Sequence, residues 1–132
     1  MATRGMIGIE LDNGKIEAVY SHWDNSPETN GMTLVKHYKR KKANRLMELG
    51  SISSLGKNIG KKHDFNNRIE GMTTFYGRDR AETDIGCRLY NSIDAVFNYQ
   101  CDAEYAYVLG LDDIWRVATP QNTTLIPVND LL

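Results

Sequence analysis

The tripeptide Asp12-Asn13-Gly14 lies between two segments whose apolar residues recur at every second position. In residues 2–11 these include Ile7 and Ile9, and residues 15–22 continue the alternation. A period of two indicates strands with one buried face. Asn-Gly tolerates the positive φ angles of a type I′ turn, which makes it the strongest short-range signal of a β-hairpin. The sequence therefore predicts that the chain opens with an antiparallel hairpin.

The segment 19–28 joins the second of these strands to a helix. Its large side chains with polar tips are Tyr20, His22 and Trp23. Pro27 is typical of a first helical turn, because its missing amide hydrogen would be unpaired there. Asn25 or Ser26 is then the expected N-cap. The segment has the composition of a binding site but matches no catalytic motif.

Apolar periodicity organises the rest of the chain. It predicts three helices, at about residues 27–38, 41–49 and 93–97, and three further strands, at residues 72–76, 102–109 and 114–118. The order ββααβαββ predicts a single α+β domain over residues 1–132. We expect an antiparallel sheet built from the N-terminal and C-terminal hairpins, with helices packed on one face.

The segments between these elements are predicted to be irregular. Residues 51–56 read as a turn, and Lys57 to Asn67 as a mobile loop with almost nothing to bury. Residues 78–84 alternate in charge and predict a second exposed loop. The residues after 118 contain two prolines and predict a tail of irregular coil packed against the core.

Composition excludes several classes of protein. A net charge of −1 argues against a general nucleic-acid coat, which is normally strongly basic. Cys87 and Cys101 are too few for a disulfide framework and lack metal-ligand spacing, so we expect two half-buried thiols in a reducing cytosol. No apolar run approaches the roughly 18 residues of a membrane span, and the first four residues open no signal peptide. These features predict a cytosolic protein.

The charge is unevenly distributed along the chain. Residues 36–62 contain nine basic residues and a single acidic residue, Glu48, so this segment carries about +8 and the remainder about −9. Such polarity is consistent with an anionic partner, and also with a solvated helix face and loop. The sequence leaves both interpretations open.

Catalytic and metal motifs are weak. His22, Asp24, Glu28 and His37 lie within a short segment, but zinc sites need three or four ligands at characteristic spacings, which are missing here. No serine lies in a Gly-x-Ser-x-Gly elbow. The segment 56–62 lacks the Gly-x4-Gly-Lys spacing of a phosphate loop, although its lysines could hold a phosphate loosely. We therefore expect no metal, no cofactor and no enzymatic activity.

Two segments pair aromatic rings with arginines. In residues 75–80, Phe75 and Tyr76 precede Arg78 and Arg80, and Trp115 precedes Arg116 in the last predicted hairpin. Rings and guanidinium groups together bind bases and phosphates. The alternative is a core phenylalanine followed by a salt-bridged turn, and a packed tryptophan.

The opening Met1-Ala2-Thr3-Arg4, followed by Asn13-Gly14 and Tyr20-Ser21-His22-Trp23-Asp24-Asn25-Ser26-Pro27, resembles a family of small phage and prophage proteins. That family opens Met-Ser-Thr-Arg and carries Tyr-x-His-Trp-Asp-Gly-x-Pro, so Asn25 stands where glycine is usual. The resemblance continues through residues 46–56 and returns at 104–107 and Trp115. It implies phage origin, and on architecture and size a relation to the Thoeris anti-defence sponges, which sequester cyclic nucleotide signals without destroying them.

The resulting hypothesis is a phage counter-defence protein of the host cytoplasm that sequesters an anionic nucleotide between chains of a homo-oligomer. The ligand-binding residues expected on this hypothesis are Phe75, Arg78, Arg80, Trp115, Arg116, His22 and Asp24. One alternative is a protein-binding inhibitor of a host defence nuclease or nucleic-acid-binding complex. Another is a minor nucleotide-acting enzyme with His22 and Asp24 as its acid–base pair.

Overall fold

A computed structural model describes residues 2–100 and 102–132 of the protein. The described residues form one mixed sheet of eight strands in the order β4-β3-β2-β1-β6-β7-β8, with β5 pairing with β2 beside β3. The strands are β1 Gly5–Glu10, β2 Ile16–Ser21, β3 Ile52–Ser54, β4 Thr74–Phe75, β5 Arg88–Tyr90, β6 Tyr105–Leu109, β7 Trp115–Thr119 and β8 Asn122–Pro127. The predicted α+β class and the two terminal hairpins, β1–β2 and β6–β7, are confirmed. The hairpins join through a parallel pairing of β1 with β6 at the centre of the sheet.

The described helices are short. They are a π-helical turn at Pro27–Gly31 that continues into α1 Met32–His37, then α2 Arg40–Leu49, α3 Tyr76–Arg80, α4 Ile93–Tyr99 and a 3-10 turn at Val128–Leu131. Ser92 caps α4 by accepting a hydrogen bond from the amide of Ala95, as its position predicts. Gly50 ends α2 with a φ of +86°, which an L side chain rarely adopts.

The sheet has a core on each face. The larger core packs α1 and α2 against alternate residues of the central strands, such as Ile7, Val19 and Tyr107, all fully buried. The intervening residues, such as Met6 and Ala18, face the other way and are covered by α4. Alternation along a strand sends neighbouring side chains to opposite faces. The expectation of helices on one face therefore holds for α1 and α2, whereas α4 lies on the other face.

The turn after β2 is held by a buried asparagine. The Asn25 side chain is fully buried and its amide nitrogen donates to the carbonyls of Thr3 and Ser21, each at 2.9 Å. Its side-chain oxygen accepts from Asn30, and Tyr107 Oη donates to its backbone carbonyl at 2.7 Å. Ser26 is the N-cap residue but its side chain makes no capping bond. The segment around Asn25 thus organises the fold rather than capping a helix.

Several irregular segments of the prediction are regular in the structure. Residues 52–54 form β3 and 122–127 form β8, and α3 at Tyr76–Arg80 replaces the end of the predicted strand 72–76 and the start of the predicted loop 78–84. Residues 88–90, for which no element was predicted, form β5. β3 and β5 have three residues each and α3 has five, which is too few to show a period. β8 has six residues, and its conformation comes from pairing with β7. The 57–67 segment is irregular as predicted, but it is anchored, because Asn58 exchanges backbone hydrogen bonds with Gly71 and Thr73.

Candidate functional site

The aromatic residues expected to stack a base belong to the core. Phe75 is fully buried and Trp115 is 6% exposed. The indole nitrogen of Trp115 donates to the backbone carbonyl of Tyr38 at 2.7 Å. Neither ring offers a free face to a ligand, so the prediction of these two residues as stacking platforms is wrong. Both side chains lie on the face of the sheet that α2 covers. A single sequence does not show which face of a strand is covered by a helix.

Arg78 forms hydrogen bonds within the protein and is not available to bind a phosphate. Its guanidinium donates to the carbonyls of Ile59, Gly60 and Thr73, at 3.0, 3.2 and 2.8 Å. Its remaining donors meet the carboxylate of Asp79, whose side chain is fully buried. Burial alone would raise the pKa of Asp79, but hydrogen bonds from Arg78 and from the Phe75 and His63 amides leave that pKa below its usual value. The prediction of Arg78 as a phosphate contact fails because all of its donors are used.

Arg80 and Arg116 lie in different parts of the surface. Arg80 packs over the rings of Phe65 and Tyr76, 4.2 and 5.2 Å from their centroids, and is paired with Glu82. Arg116 forms a two-pronged ion pair with Asp112, with N–O distances of 2.9 and 2.7 Å. Because Arg116 follows Trp115 in β7, the two side chains point to opposite faces of the sheet. The seven expected residues therefore share no common hollow within one chain.

His22 and Asp24 do not pair. Among the described residues no hydrogen bond or ion pair joins them, and the Nδ1 atom of His22 lies 2.7 Å from Tyr20 Oη. Burial, with the nearby charges of Arg4 and Arg68, lowers the pKa of His22, so the imidazole is neutral at pH 7 and shares one hydrogen bond with the Tyr20 hydroxyl. Asp24 is exposed, at a left-handed φ of +62°.

A cavity beside Tyr20 combines aromatic rings with an arginine, the combination that the sequence predicts at residues 75–80 and 115–116. It has a volume of about 210 Å³ and its lining includes Tyr20, Tyr90, Tyr99 and Arg88. The Arg88 guanidinium lies 4.7 Å from the centroid of the Tyr99 ring, and the rings of Tyr90 and Tyr99 meet edge to face at 5.9 Å. We call these four residues the tyrosine pocket.

The pocket exists because two short strands leave a gap along the same edge of β2. On that edge β5 pairs with Ile16 to Ala18, and β3 pairs at Ser21. Val19 and Tyr20 lie between the two ladders, and both line the cavity. The gap therefore places an uncovered stretch of strand edge beside the aromatic rings.

The hydroxyls of Tyr20 and Tyr90 are neutral at pH 7. Burial raises the pKa of Tyr20, although Arg4 acts in the opposite sense. Burial, followed by the neighbouring Tyr99, raises the pKa of Tyr90. Protonated phenols can donate hydrogen bonds to phosphate oxygens and do not repel them. The described lining contains one cation, Arg88, and one carboxylate, Asp84, and the guanidinium of Arg88 is the group that can meet a ring system carrying a negative charge.

Comparison of the chain with protein-family models, with curated proteins and with solved structures found no significant match. The resemblance to the phage family remains a prediction. Within the described ranges, no group of three histidine, cysteine or acidic residues could hold a metal ion. No helix there is both long enough and apolar enough to cross a membrane.

Sequence reasoning identified only part of this site. Tyr20 belongs to the segment singled out at the start, but Arg88, Tyr90 and Tyr99 were not predicted as ligand-binding residues. The arrangement Arg-Leu-Tyr, with Arg88 and Tyr90 in alternation, could have indicated a short strand with an aromatic and a cation. Its position beside Tyr20 depends on the long-range pairing of β5 with β2, which leaves no local signal. The thiol of Cys87 is half-buried as expected, and the prediction for Cys101 lies outside the described residues.

Proposed function

We propose that the protein binds an anionic nucleotide in the tyrosine pocket and holds it without cleaving it. One observation carries this proposal: the Arg88 guanidinium lies over the exposed ring of Tyr99, and both residues line a cavity together with two further tyrosines. Stacking on an aromatic side chain is worth about 1–3 kcal/mol per base, and an adjacent arginine supplies the phosphate contact.

The residues lining the pocket can bind a ligand. Tyr20 and Tyr90 can orient it, and Arg88 can neutralise its charge. The described part of the lining also contains one carboxylate, Asp84, and the nearby imidazole of His22 has its Nδ1 atom 2.7 Å from Tyr20 Oη. Sequestration rather than cleavage follows what the resemblance to the anti-defence sponges implies, and we extend the proposal to a counter-defence role.

The size of the cavity suggests how a complete ligand would be covered. Pockets that enclose a whole drug-sized ligand measure about 300–1,000 Å³, and this cavity is smaller at about 210 Å³. It can hold one ring and its phosphate. The rest of a cyclic dinucleotide would extend to a second surface, and we propose that another copy of the chain supplies it in a homo-oligomer.

Calorimetry against cyclic dinucleotides and cyclic ADP-ribose isomers tests the proposal. We expect saturable binding of at least one ligand, and its recovery intact after the protein is denatured by heat. Consumption of the ligand would indicate an enzyme. Absence of binding across the panel would contradict the proposal and favour an inhibitor that binds a host protein.

Two arginine variants locate the site. Arg88→Gln should lower the affinity at least tenfold, because a hydrogen bond to a charged group is worth about 1.5–3 kcal/mol. Arg116→Gln makes the same charge change at a residue already paired with Asp112 and should change the affinity less than twofold. Equal losses in both variants would mean that long-range charge, and not the tyrosine pocket, attracts the ligand.

A further inference from the structure

We infer that a groove between α1, α2 and the following loop binds a linear chain of phosphates, such as a single-stranded nucleic-acid backbone or inorganic polyphosphate. This groove shares no lining residue with the tyrosine pocket. The inference concerns a second binding activity and does not depend on the proposed function.

The groove gathers much of the positive charge of the chain. It has a volume of about 590 Å³ and lies at the end of α1 and along α2. Its cationic lining consists of Lys36, Lys39, Lys41, Lys42 and Arg45. Glu48 is the single carboxylate among the described lining residues, and it lies 3.4 Å from Arg45. An exposed pair of this kind neutralises little of the field that the four lysines create.

Lys42 fixes the shape of the groove. Its ammonium donates to the carbonyl of His37 at 3.1 Å and to the carbonyl of Lys57, and it lies 4.5 Å from the centroid of the Tyr38 ring. These contacts tie the end of α1 to the loop after β3. Burial lowers the pKa of Lys42. Lys42 thus has a structural role, and the other three lysines are exposed and able to meet a ligand.

The position of Arg40 shows that the cations are not simply spread over a helix face. Arg40 turns away from the groove and donates to Asp113 at 3.0 Å and to the carbonyl of Gly110. The exposed lysines of the loop, Lys57, Lys61 and Lys62, extend the positive surface beyond α2. The basic segment therefore divides into Arg40, which pairs with the turn between β6 and β7, the cations that line the groove, and the three exposed loop lysines.

The chemistry of the lining favours phosphates over bases or carboxylates. Among the described residues its one aromatic ring is the imidazole of His37, so it lacks the tyrosine, tryptophan or phenylalanine platforms on which successive bases stack. Carboxylates are best recognised by the two-pronged geometry of arginine, and the only arginine here already meets Glu48. Lysines act as point charges with rotatable donors, which suits the several oxygens of successive phosphates. The predicted ligand is therefore an extended polyanion that is bound independently of base sequence.

Fluorescence anisotropy with a labelled oligothymidylate, performed over a range of salt concentrations, tests the inference. We expect log K to fall linearly with log salt, with a slope of about −0.7 for each phosphate contacted on a single strand. Unlabelled polyphosphate should displace the oligonucleotide if any linear phosphate chain suffices. Retention of the oligonucleotide at high polyphosphate would identify the phosphodiester backbone as the ligand. An oligonucleotide that does not bind while labelled polyphosphate does would identify polyphosphate.

The double variant Lys39→Gln/Lys41→Gln should lower the affinity at least tenfold and reduce the salt slope by about 1.4, for two lost contacts. Lys15→Gln, at a turn outside the groove, is the matched control. In this variant neither the affinity nor the salt slope should change by as much as half. Thermal melting verifies that both variants fold. The inference fails if the double variant behaves like the control, if neither polyanion binds, or if an acidic peptide of equal charge displaces the oligonucleotide as well as polyphosphate does.

Discussion

Two arginines with similar sequence surroundings differ in what they are free to do. Every N–H donor of Arg78 is bonded to one of three carbonyls or to a carboxylate, whereas Arg88 is exposed and lies over an aromatic ring. Both lie one or two residues from a tyrosine, so a local pattern cannot separate them. The distinction comes from the loop around Ile59, which reaches Arg78 across 19 positions of sequence. An arginine can bind a ligand only where its N–H donors are not already bonded within the protein, so residue type alone does not identify a binding arginine.

The buried carboxylate of Asp79 should control the stability of the region around α3. Replacing it by Asn removes the partner of Arg78, and breaking a buried ion pair costs about 3–5 kcal/mol. Urea unfolding at pH 7 should show this loss in the free energy of unfolding. Asp12→Asn, in an exposed turn, is the control and should change it by less than about 0.5 kcal/mol.

The same carboxylate predicts how stability depends on pH. The pKa of Asp79 in the folded protein lies below its ordinary value of 3.8, so the folded state holds its proton less tightly than the unfolded state. Its contribution is complete at pH values well above 3.8 and is lost as the pH falls through the folded pKa. The difference in unfolding free energy between the wild type and Asp79→Asn should therefore shrink below about pH 4. A difference that stays constant down to pH 2 would contradict this assignment.

At the scale of elements, the turn after β2 shows how one buried polar side chain can fix the connection between a strand and the helix that follows it. Asn25→Ala removes a fully buried amide that joins the turn to β1 and to Asn30, and we expect a loss of about 2–3 kcal/mol. Asn44→Ala, at an exposed position of α2, should be neutral or slightly stabilising. Chemical denaturation of both variants measures the difference. Equal stabilities would mean that the Asn25 network contributes nothing net.

The capping of α4 provides a second test among the elements. Ser92 accepts from the Ala95 amide, so Ser92→Ala should destabilise the protein by about 1 kcal/mol. Ser26 occupies the corresponding position before the first helical turn but makes no capping bond, and Ser26→Ala should cost less. A lowered melting temperature for the first variant alone would support the assignment, and the reverse order would oppose it.

The elements also show what a single sequence can predict. The β1–β2 hairpin, α2 and the capped α4 have strong local signals in Asn13-Gly14, Gly50 and Ser92, and all three are found. The three-residue strands β3 and β5 have no comparable signal, because they exist only through pairing with β2. The tyrosine pocket lies between these two strands. Local reasoning could not locate it, although Tyr20 belongs to the segment 19–28 whose composition is that of a binding site.

At the scale of the whole molecule, the chain separates two kinds of surface. Among the residues that the structure describes, the tyrosine pocket combines three tyrosine rings with one cation and one carboxylate beside β2, and the basic groove combines five cations with the imidazole of His37 and one carboxylate along α2. The uneven charge of residues 36–62 indicates the second surface in the sequence, although a solvated helix face would give the same pattern. That segment supplies little of the first surface, so charge and aromatic–arginine neighbours along the chain do not point to the pocket that we propose as the nucleotide site.

The proposed oligomer has a measurable consequence. If a second copy completes the tyrosine pocket, light scattering should give a mass at least twice the 15.0 kDa of one chain, in the absence and in the presence of ligand. The nucleotide should also stabilise the assembly against dilution, because a ligand shared between copies favours the associated state. A strict monomer that binds the ligand would contradict the shared pocket but not the pocket itself.

The most direct test of the central claim is a chemical-shift map of the backbone amides, recorded while a cyclic dinucleotide or cyclic ADP-ribose isomer is titrated into the protein. We predict that the shifts concentrate at Tyr20, at Arg88 to Tyr90 and at Tyr99, and that the amides of Arg78 and Trp115 stay in place. Shifts confined to α2 or to the region of Arg78 and Arg80, or none with any ligand of the panel, would contradict the assignment of a nucleotide site to the tyrosine pocket.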